Sequence, residues 1–203
     1  AGPVGQAFAL MLLQGGIKSE QLILIDSKTS ILAQQDQRSI ALSYGSLQLL
    51  TALKAPPTRM TAIEQIHVSR RAHLGRTLIA AADYKIPALG YVARYGDIVA
   101  PLELALNEHA ITILRPCKIC ATEESPEQVE IYFEQAPSRR VDLLVQAEGG
   151  SFGDQVQAEQ HHDYQQSAVI AHVTTSQAIA HRAFERFTES GPIALLPQED
   201  GYA

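Results

Sequence analysis

The sequence predicts an α/β fold in which a strand–helix–strand unit is interleaved with a sheet rich in antiparallel strands. Three observations predict it. Gly2 and Gly5 lead into a helix, and the helix is followed by an almost wholly apolar strand, which is typical of a parallel sheet. The helical period is lost after Pro56 and Pro57. Beyond these prolines, short apolar runs alternate with polar turns, as in an antiparallel meander.

The first third of the chain predicts the strand–helix–strand unit. In residues 2–16 a glycine turn precedes apolar side chains at helical spacing, and Gly15 with Gly16 ends the pattern. Residues 21–26 predict a strand buried on both faces that closes on Asp26. Apolar residues at helical spacing predict a second helix over residues 39–53. This helix ends before Pro56 and Pro57, because proline can neither donate to nor continue the helical hydrogen-bond ladder.

The rest of the chain predicts mainly strands. A helix is predicted at 100–109, and 155–166 is predicted to be a surface linker. The predicted strands lie at 63–69, 77–82, 110–114, 118–121, 129–133, 141–145, 167–174, 183–188 and 193–196. The chain opens without an initiator methionine, directly at the helix, and ends just past a strand. We therefore expect a truncated fragment in which the first strand of the opening unit is missing.

Composition excludes several function classes. A hydrophobic fraction of 46% with 19% charged residues is ordinary for a globular protein and does not favour intrinsic disorder. The formal net charge of −6 argues against a protein that binds nucleic-acid backbones, which would carry a basic excess. The longest apolar run, at 7–13, is too short for a membrane helix. Two cysteines do not make a disulfide scaffold, so a reducing cytoplasm is expected.

The opening glycines and Asp26 predict a nucleotide site. Gly2 and Gly5 match the later positions of the G-x-G-x-x-G pattern, in which glycines admit a pyrophosphate and the helix N-terminus offers free N–H groups. Asp26 stands 21 residues after Gly5, where a carboxylate can accept ribose hydroxyls. The alternative is a glycine-started surface helix with a solvated Asp26 in a turn.

Two other polar segments leave alternatives open. Arg38 precedes the predicted second helix and could reach phosphates, but from spacing alone a solvated arginine near a helix start is favoured. Glu148 and Gly149 follow a predicted strand, where an α/β fold places ligand-binding loops, or they form a tight turn.

No metal site and no nucleophilic set can be placed from the sequence. Cys117 and Cys120 form a single pair, whereas a zinc site needs four ligands, so a chance occurrence on a strand is favoured. His161 and His162 are adjacent and point in different directions on either a helix or a strand. The catalytic residues stay unassigned, and in an enzyme a cofactor would supply the chemistry.

Several stretches resemble the p-hydroxybenzoate-hydroxylase-like FAD monooxygenases, in particular the ubiquinone-biosynthesis hydroxylases among them. The segment 1–5 resembles the end of their FAD fingerprint, and 36–42 resembles their D-x-R-x-x-A-L segment. Residues 66–75 with 88–92 are similar to the part that leads into and out of the substrate domain. Residues 183–197 are similar to a string typical of the ubiquinone hydroxylases. The similarity covers the whole chain, although family members are about twice as long.

The resemblance implies roles for the residues that match. Gly2 and Gly5 would lie against the FAD pyrophosphate, Asp26 on the adenosine ribose and Arg38 on the phosphate or ribityl side of the cofactor. Glu148 and Gly149 would stand where the family has an Asp-Gly motif. Glutamate replaces the usual aspartate there, which leaves the handling of the nicotinamide in doubt. The resemblance divides the chain into a FAD-binding domain (1–58 and 88–155) and an incomplete substrate-domain sheet (59–87 and 156–203).

The implied activity is hydroxylation of a polyprenylated phenol in ubiquinone biosynthesis, with FAD as cofactor and NAD(P)H and O₂ as co-substrates. The implied partners are this phenol and either the inner-membrane surface or a ubiquinone-synthesis complex, with no nucleic acid. The expected location is the cytoplasm, with peripheral membrane contact as an alternative. A nicotinamide-dependent dehydrogenase and a non-catalytic scaffold of a ubiquinone-synthesis complex remain alternatives.

Overall fold

The computed structural model describes residues 1–147, 167–177, 180–199 and 201–203. These residues form a mixed α/β fold, which confirms the predicted class at that level. They divide into two compact units, Ala1–Asp36 with Val99–Gln166 (unit 1) and Gln37–Ile98 with Ser167–Ala203 (unit 2). The linker predicted at 155–166 lies outside the described residues.

The helices are short and few. The α-helices are Pro3–Gln14 (α1), Ser30–Gln34 (α2), Tyr44–Ala52 (α3) and Tyr95–Asn107 (α4), and 3₁₀ turns lie at Ser19–Gln21 and Ala81–Tyr84. Thr29 caps α2 by accepting a hydrogen bond from the Leu32 amide, and Ser43 caps α3 in the same way from the Ser46 amide.

The strands are more numerous and also short. They are Ile23–Ile25 (β1), Ser39–Ser43 (β2), Thr61–Ile63 (β3), Gln65–Arg70 (β4), Arg76–Ala80 (β5), Gly90–Arg94 (β6), Thr112–Leu114 (β7), Ile119–Glu124 (β8), Val129–Phe133 (β9), Arg139–Val141 (β10), Arg182–Thr188 (β11), Gly191–Leu195 (β12), Pro197–Gln198 (β13) and Gly201–Tyr202 (β14).

Unit 1 contains a parallel strand pair, which agrees with the parallel sheet predicted for the strand at 21–26. β1 and β7 pair in parallel, with Ile23 opposite Thr112 and Ile25 opposite Leu114. β8, β9 and β10 form a separate antiparallel meander. The buried apolar side chains of unit 1 include those of Leu10, Leu24, Leu102, Leu106 and Ile131. The carboxyl ends of β1 and β7 therefore share one sheet edge, where ligand-binding loops are found in α/β folds.

Unit 2 contains three of the described sheets, the smallest of which is the antiparallel pair β13–β14. β2 and β3 pair antiparallel with either side of β6, and the second sheet has the order β12-β11-β4-β5. Within that sheet β4 pairs parallel with β11, although their residues are far apart in sequence. A small core joins Ile63, Val92 and Ala183, with Ile66 and Leu196 packed against it.

The helix predicted at 39–53 is partly wrong. Residues Ser39–Ser43 are strand β2, and the helix begins only at Tyr44. β2 pairs with β6 along its whole length, from Ser39 opposite Arg94 to Ser43 opposite Gly90. Pairing with a distant strand therefore overrides the local helical pattern.

Two predicted strands are shorter than expected. Within 141–145 only Val141 belongs to a strand, and within 167–174 only Val173 pairs, in an isolated bridge to Tyr202. Strand β6 and helix α2 were not predicted. β6 runs between two other strands, which the flanking sequence does not reveal.

The functional domains expected from the resemblance, 1–58 with 88–155 and 59–87 with 156–203, stay a prediction. Compactness separates units 1 and 2 but assigns no function to either. The parallel pair β1–β7 with α1 is compatible with a Rossmann-like unit, and a Rossmann-like FAD unit likewise stays a prediction.

Candidate functional site

The strongest candidate site lies where β1 ends and α1 begins. Gly2 is the N-cap of α1, with extended backbone (φ −71°, ψ −178°) and no side chain to cap the helix. Pro3 is the first helical residue, and the first turn contains no acidic side chain. The N–H groups of this turn are thus left for a ligand, and the helix dipole favours a negative charge at this position.

Gly5 is the third residue of α1 and lies in its first turn. A Cβ atom added at Gly5 would lie 3.6 Å from the Cβ of Ala147, which is an ordinary van der Waals contact. Among the described residues, packing alone therefore does not demand glycine here. Any need for Gly5 would come from a ligand approaching the backbone.

Asp26 follows β1 directly, and the start of α1 lies against it. The Ala1 nitrogen donates to the Ile25 carbonyl at 2.7 Å and lies 3.4 Å from Asp26 Oδ2. The Lys28 amide donates to Asp26 Oδ1 at 2.9 Å. The structure thus places Ala1, directly before Gly2 and α1, beside Asp26 at the end of β1. Gly5 follows in the first turn of α1. The binding role of Gly2, Gly5 and Asp26 stays a prediction.

The surroundings of Asp26 keep it ionised. Burial by itself would raise the pKa of the Asp26 carboxyl, but the Lys28 amide and the Arg115 guanidinium together hold that pKa below its ordinary value of 3.8. The Asp26 side chain is 15% exposed, so the carboxylate is accessible from one side. An ionised, partly accessible carboxylate is a strong hydrogen-bond acceptor.

Arg115 is a functional candidate that the sequence reasoning missed. It follows β7, and its Nη2 donates to Asp26 Oδ2 at 2.8 Å and to the Ala1 carbonyl at 3.3 Å. Its Nη1 lies 3.1 Å from Glu103 Oε1 on α4. The pairing of β1 with β7 brings Arg115 to Asp26. The available signal was a charged residue directly after each of two apolar strands.

Glu103 extends this network to α2. Its Oε2 accepts hydrogen bonds from Ser30 Oγ at 2.8 Å and from Gln34 Nε2 at 3.2 Å. The side chains of Arg115 and Glu103 are 8% and 13% exposed, respectively. We call Asp26, Arg115 and Glu103 the charged cluster; it holds one positive and two negative charges.

Arg38 lies in unit 2, just before β2. The Tyr95 amide donates to the Arg38 carbonyl at 2.8 Å, and the guanidinium carbon lies 5.1 Å from the centre of the Tyr95 ring. This is a cation–π distance, so the arginine side chain stacks on an aromatic ring. Its predicted contact with a cofactor stays a prediction.

Unit 2 also contains a polar cavity of about 190 Å³. It is lined by Arg59, Met60, Thr61, Val92, Ala93, Arg94, Asp97, Gln198 and Glu199. Arg59 Nε donates to Asp97 Oδ1 at 3.3 Å, and Arg94 Nη1 donates to the neutral Gln37 Oε1 at 2.7 Å. The side-chain Nε2 of Gln198 donates to Ser39 Oγ, and this hydrogen bond connects β13 to β2.

The remaining sequence candidates add no site to the described residues. Glu148 and Gly149, like His161 and His162, lie outside them. The cysteines of the Cys117 pair are both free thiols. Within 1–147, 167–177, 180–199 and 201–203, no three His, Cys, Asp or Glu side chains are grouped as a metal site would require. In the same residues, no helix is long and apolar enough to cross a membrane.

Comparison with known proteins relates the chain to one curated hydroxylase. The sequence is 27% identical to 3-demethoxyubiquinol 3-hydroxylase of Escherichia coli (strain K12) over the whole of this chain. The aligned part is 54% of the hydroxylase, so the chain spans about half the length of that relative. No family model matches the sequence.

Solved structures show where this fold occurs. FqzB superposes with a TM-score of 0.62 at 13% identity, over 89% of this chain and 46% of FqzB. The tetracycline destructase Tet(51) superposes with a TM-score of 0.52 at 12% identity, over 98% of this chain and 52% of Tet(51). At these identities the likeness concerns the fold alone. The chain is thus similar in sequence to a ubiquinol hydroxylase and shares its fold with part of FqzB and Tet(51).

Proposed function

We propose that this chain forms the FAD-binding part, with a portion of the substrate-binding part, of a flavin-dependent hydroxylase that acts on a polyprenylated phenol in ubiquinone biosynthesis. The observation that carries the proposal is the alignment of the whole chain with 3-demethoxyubiquinol 3-hydroxylase. The alignment covers only about half of that hydroxylase, and the proposed activity therefore belongs to a longer protein. The finer assignment to 2-octaprenyl-6-methoxyphenol hydroxylase rests on the resemblance of residues 183–197.

The geometry at the end of β1 fits the ADP half of FAD. The uncapped first turn of α1 at Gly2 offers N–H groups to a pyrophosphate. Asp26 follows β1 with an ionised and partly accessible carboxylate, which suits a ribose diol. We assign the phosphate or ribityl side of the cofactor to Arg38, and the loop at Glu148 and Gly149 to cofactor contact and NAD(P)H use.

When bound, the flavin would pass electrons from NAD(P)H to O₂, so that one oxygen atom enters the phenol ring and the other leaves as water. The chain's own residues would bind and orient the cofactor. The sheet of β4, β5, β11 and β12 would contribute to the substrate side. We place the protein in the cytoplasm, with peripheral contact to the inner membrane or to a ubiquinone-synthesis complex.

The test is a titration of FAD, followed by flavin fluorescence, into residues 1–203 and into a full-length protein that contains them. We expect saturable binding by the full-length protein and weaker binding by residues 1–203. A full-length protein that binds no flavin would rule the proposal out. Tight NAD(P)H binding without FAD would instead favour a dehydrogenase. FAD binding without NAD(P)H consumption on a phenolic substrate would favour a scaffold.

A further inference from the structure

Arg115 is linked to Asp26 by the topology of unit 1. β1 and β7 are parallel neighbours, so the residues that follow them meet at one sheet edge. The Asp26 amide donates to the Leu114 carbonyl at 3.0 Å, and the Cys117 amide donates to the Asp26 carbonyl at 2.7 Å. Backbone hydrogen bonds therefore hold the two chain segments together on both sides of the Asp26–Arg115 pair.

The pair leaves Asp26 able to accept more hydrogen bonds. Arg115 takes one position on Oδ2, which also lies 3.4 Å from the Ala1 nitrogen, and the Lys28 amide takes one on Oδ1. An ionised carboxylate offers about four lone-pair positions, so each oxygen retains acceptor capacity. Two neighbouring acceptors held in one plane match the two hydroxyl groups of a ribose.

The charges of the cluster argue against Arg115 as a ligand for phosphate. Arg115 is almost fully buried between two carboxylates, and the three side chains of the cluster sum to a net charge of −1. A phosphate brought to this arginine would meet the repulsion of Asp26 and Glu103. A neutral hydroxyl donor meets no such repulsion.

We propose that Arg115 is a positioning residue for ribose recognition, which holds the carboxylate of Asp26 so that its free oxygen positions accept the 2′- and 3′-hydroxyls of an adenine nucleotide. This inference rests on the proposed nucleotide site at Asp26. It extends that site to Arg115, the residue after β7, and predicts that the selectivity for a ribose diol depends on both Asp26 and Arg115. Arg115 itself touches no ligand.

The experiment compares ADP with 2′,3′-dideoxy-ADP by titration calorimetry, using the full-length protein and residues 1–203. The unchanged protein is expected to bind ADP at least about tenfold more tightly than 2′,3′-dideoxy-ADP. The dideoxy ligand lacks the two hydroxyl groups that would donate hydrogen bonds to the charged acceptor. Asp26→Asn should reduce this ratio to less than about threefold.

The test variant combines Arg115→Met with Glu103→Gln. The double change keeps the net charge of the cluster at −1, because one positive and one negative charge are removed together. It thereby avoids two unpaired carboxylates, which would threaten folding. Circular dichroism and the melting temperature verify the fold, and the ADP ratio should again fall below about threefold.

Arg140→Met is the matched control. Arg140 is also paired with a carboxylate in unit 1, at 3.4 Å from Glu130, but it is largely exposed in the antiparallel meander. Its variant should keep the full preference for ADP. One outcome is a double variant that folds and keeps the full preference for ADP while Asp26→Asn loses that preference. This result would overturn the proposed role of Arg115 but leave the site at Asp26 standing. An unchanged protein without any preference for ADP overturns the nucleotide site and this inference with it.

Discussion

Asp26 combines a structural role with the binding role proposed for it. Its carboxylate is partly buried, yet it is paired with Arg115 and with the Lys28 amide. Burying a charge is costly unless it is paired and hydrogen-bonded, and both conditions are met here. The pairing that makes the charge tolerable in the fold also keeps the acceptor available for a ligand.

At the residue scale, the lowered pKa of Asp26 predicts how stability depends on pH. A carboxyl whose pKa is lower in the folded than in the unfolded state adds stability above the unfolded value, and this stability is lost as pH falls through the folded value. We expect Asp26→Asn to cost about 1.5 kcal/mol at pH 7, the low end for a charged hydrogen bond because the carboxylate keeps some solvent contact. The difference should shrink as the pH falls below about 4 and disappear once the pH has passed the lowered pKa of the folded state.

Urea denaturation followed by circular dichroism, repeated over a range of pH values, measures this difference. Glu108→Gln provides the control, since Glu108 is exposed at the end of α4. Equal loss of stability at every pH for Asp26→Asn would mean that the carboxylate charge does not contribute to stability.

At the scale of elements, Gly90 is the residue that lets three strands meet. It begins β6, opposite Ser43 of β2 on one side and Ile63 of β3 on the other. A Cβ atom at Gly90 would collide with the Leu42 carbonyl oxygen. That atom belongs to the backbone of a paired strand and cannot move aside cheaply.

Gly90→Ala should therefore destabilise the protein by about 1–3 kcal/mol, the usual cost of overpacking a tight site. The urea midpoint, followed by circular dichroism, measures the effect. Gly45→Ala is the matched control, because Gly45 is exposed in α3 and a Cβ there would come no closer than 3.8 Å to another atom, Ser43 Oγ. The control should be neutral or stabilising by about 0.5 kcal/mol. Equal effects of the two changes would refute the close approach at Gly90.

At the scale of the whole molecule, the charge balance sets the range of partners. The chain has 16 basic and 22 acidic residues, and its exposed arginines are in part already paired with carboxylates, as Arg59 is with Asp97. Binding to nucleic acid depends on releasing counterions from phosphates, which needs unpaired positive charge.

We expect no measurable binding of residues 1–203 to duplex DNA at 0.1 M salt, with fluorescence anisotropy as the measurement. A control titration at lower salt separates weak electrostatic contact from specific recognition. Binding that persists at 0.1 M and falls steeply with added salt would show a basic surface that the charge balance hides.

The sequence predicts local elements well where local rules dominate. Helix α1 was expected from its glycine start and apolar spacing, and β9 was predicted at its observed bounds, Val129–Phe133. Residues 39–43 were assigned to a helix because their pattern continues into α3, whereas their pairing with β6 is a distant interaction. The same reason explains why β6 itself was missed.

The sequence by itself determined that Gly2 precedes α1, that Gly5 lies in its first turn and that an acid follows β1, because these are local features of the chain. It also determined the negative charge balance that argues against nucleic acid. Only the tertiary structure decided that Arg115 and Glu103 join Asp26, since β7 must first pair with β1 and α4 must bring Glu103 alongside. The partner of a buried charge is chosen by long-range packing, and sequence spacing does not encode it.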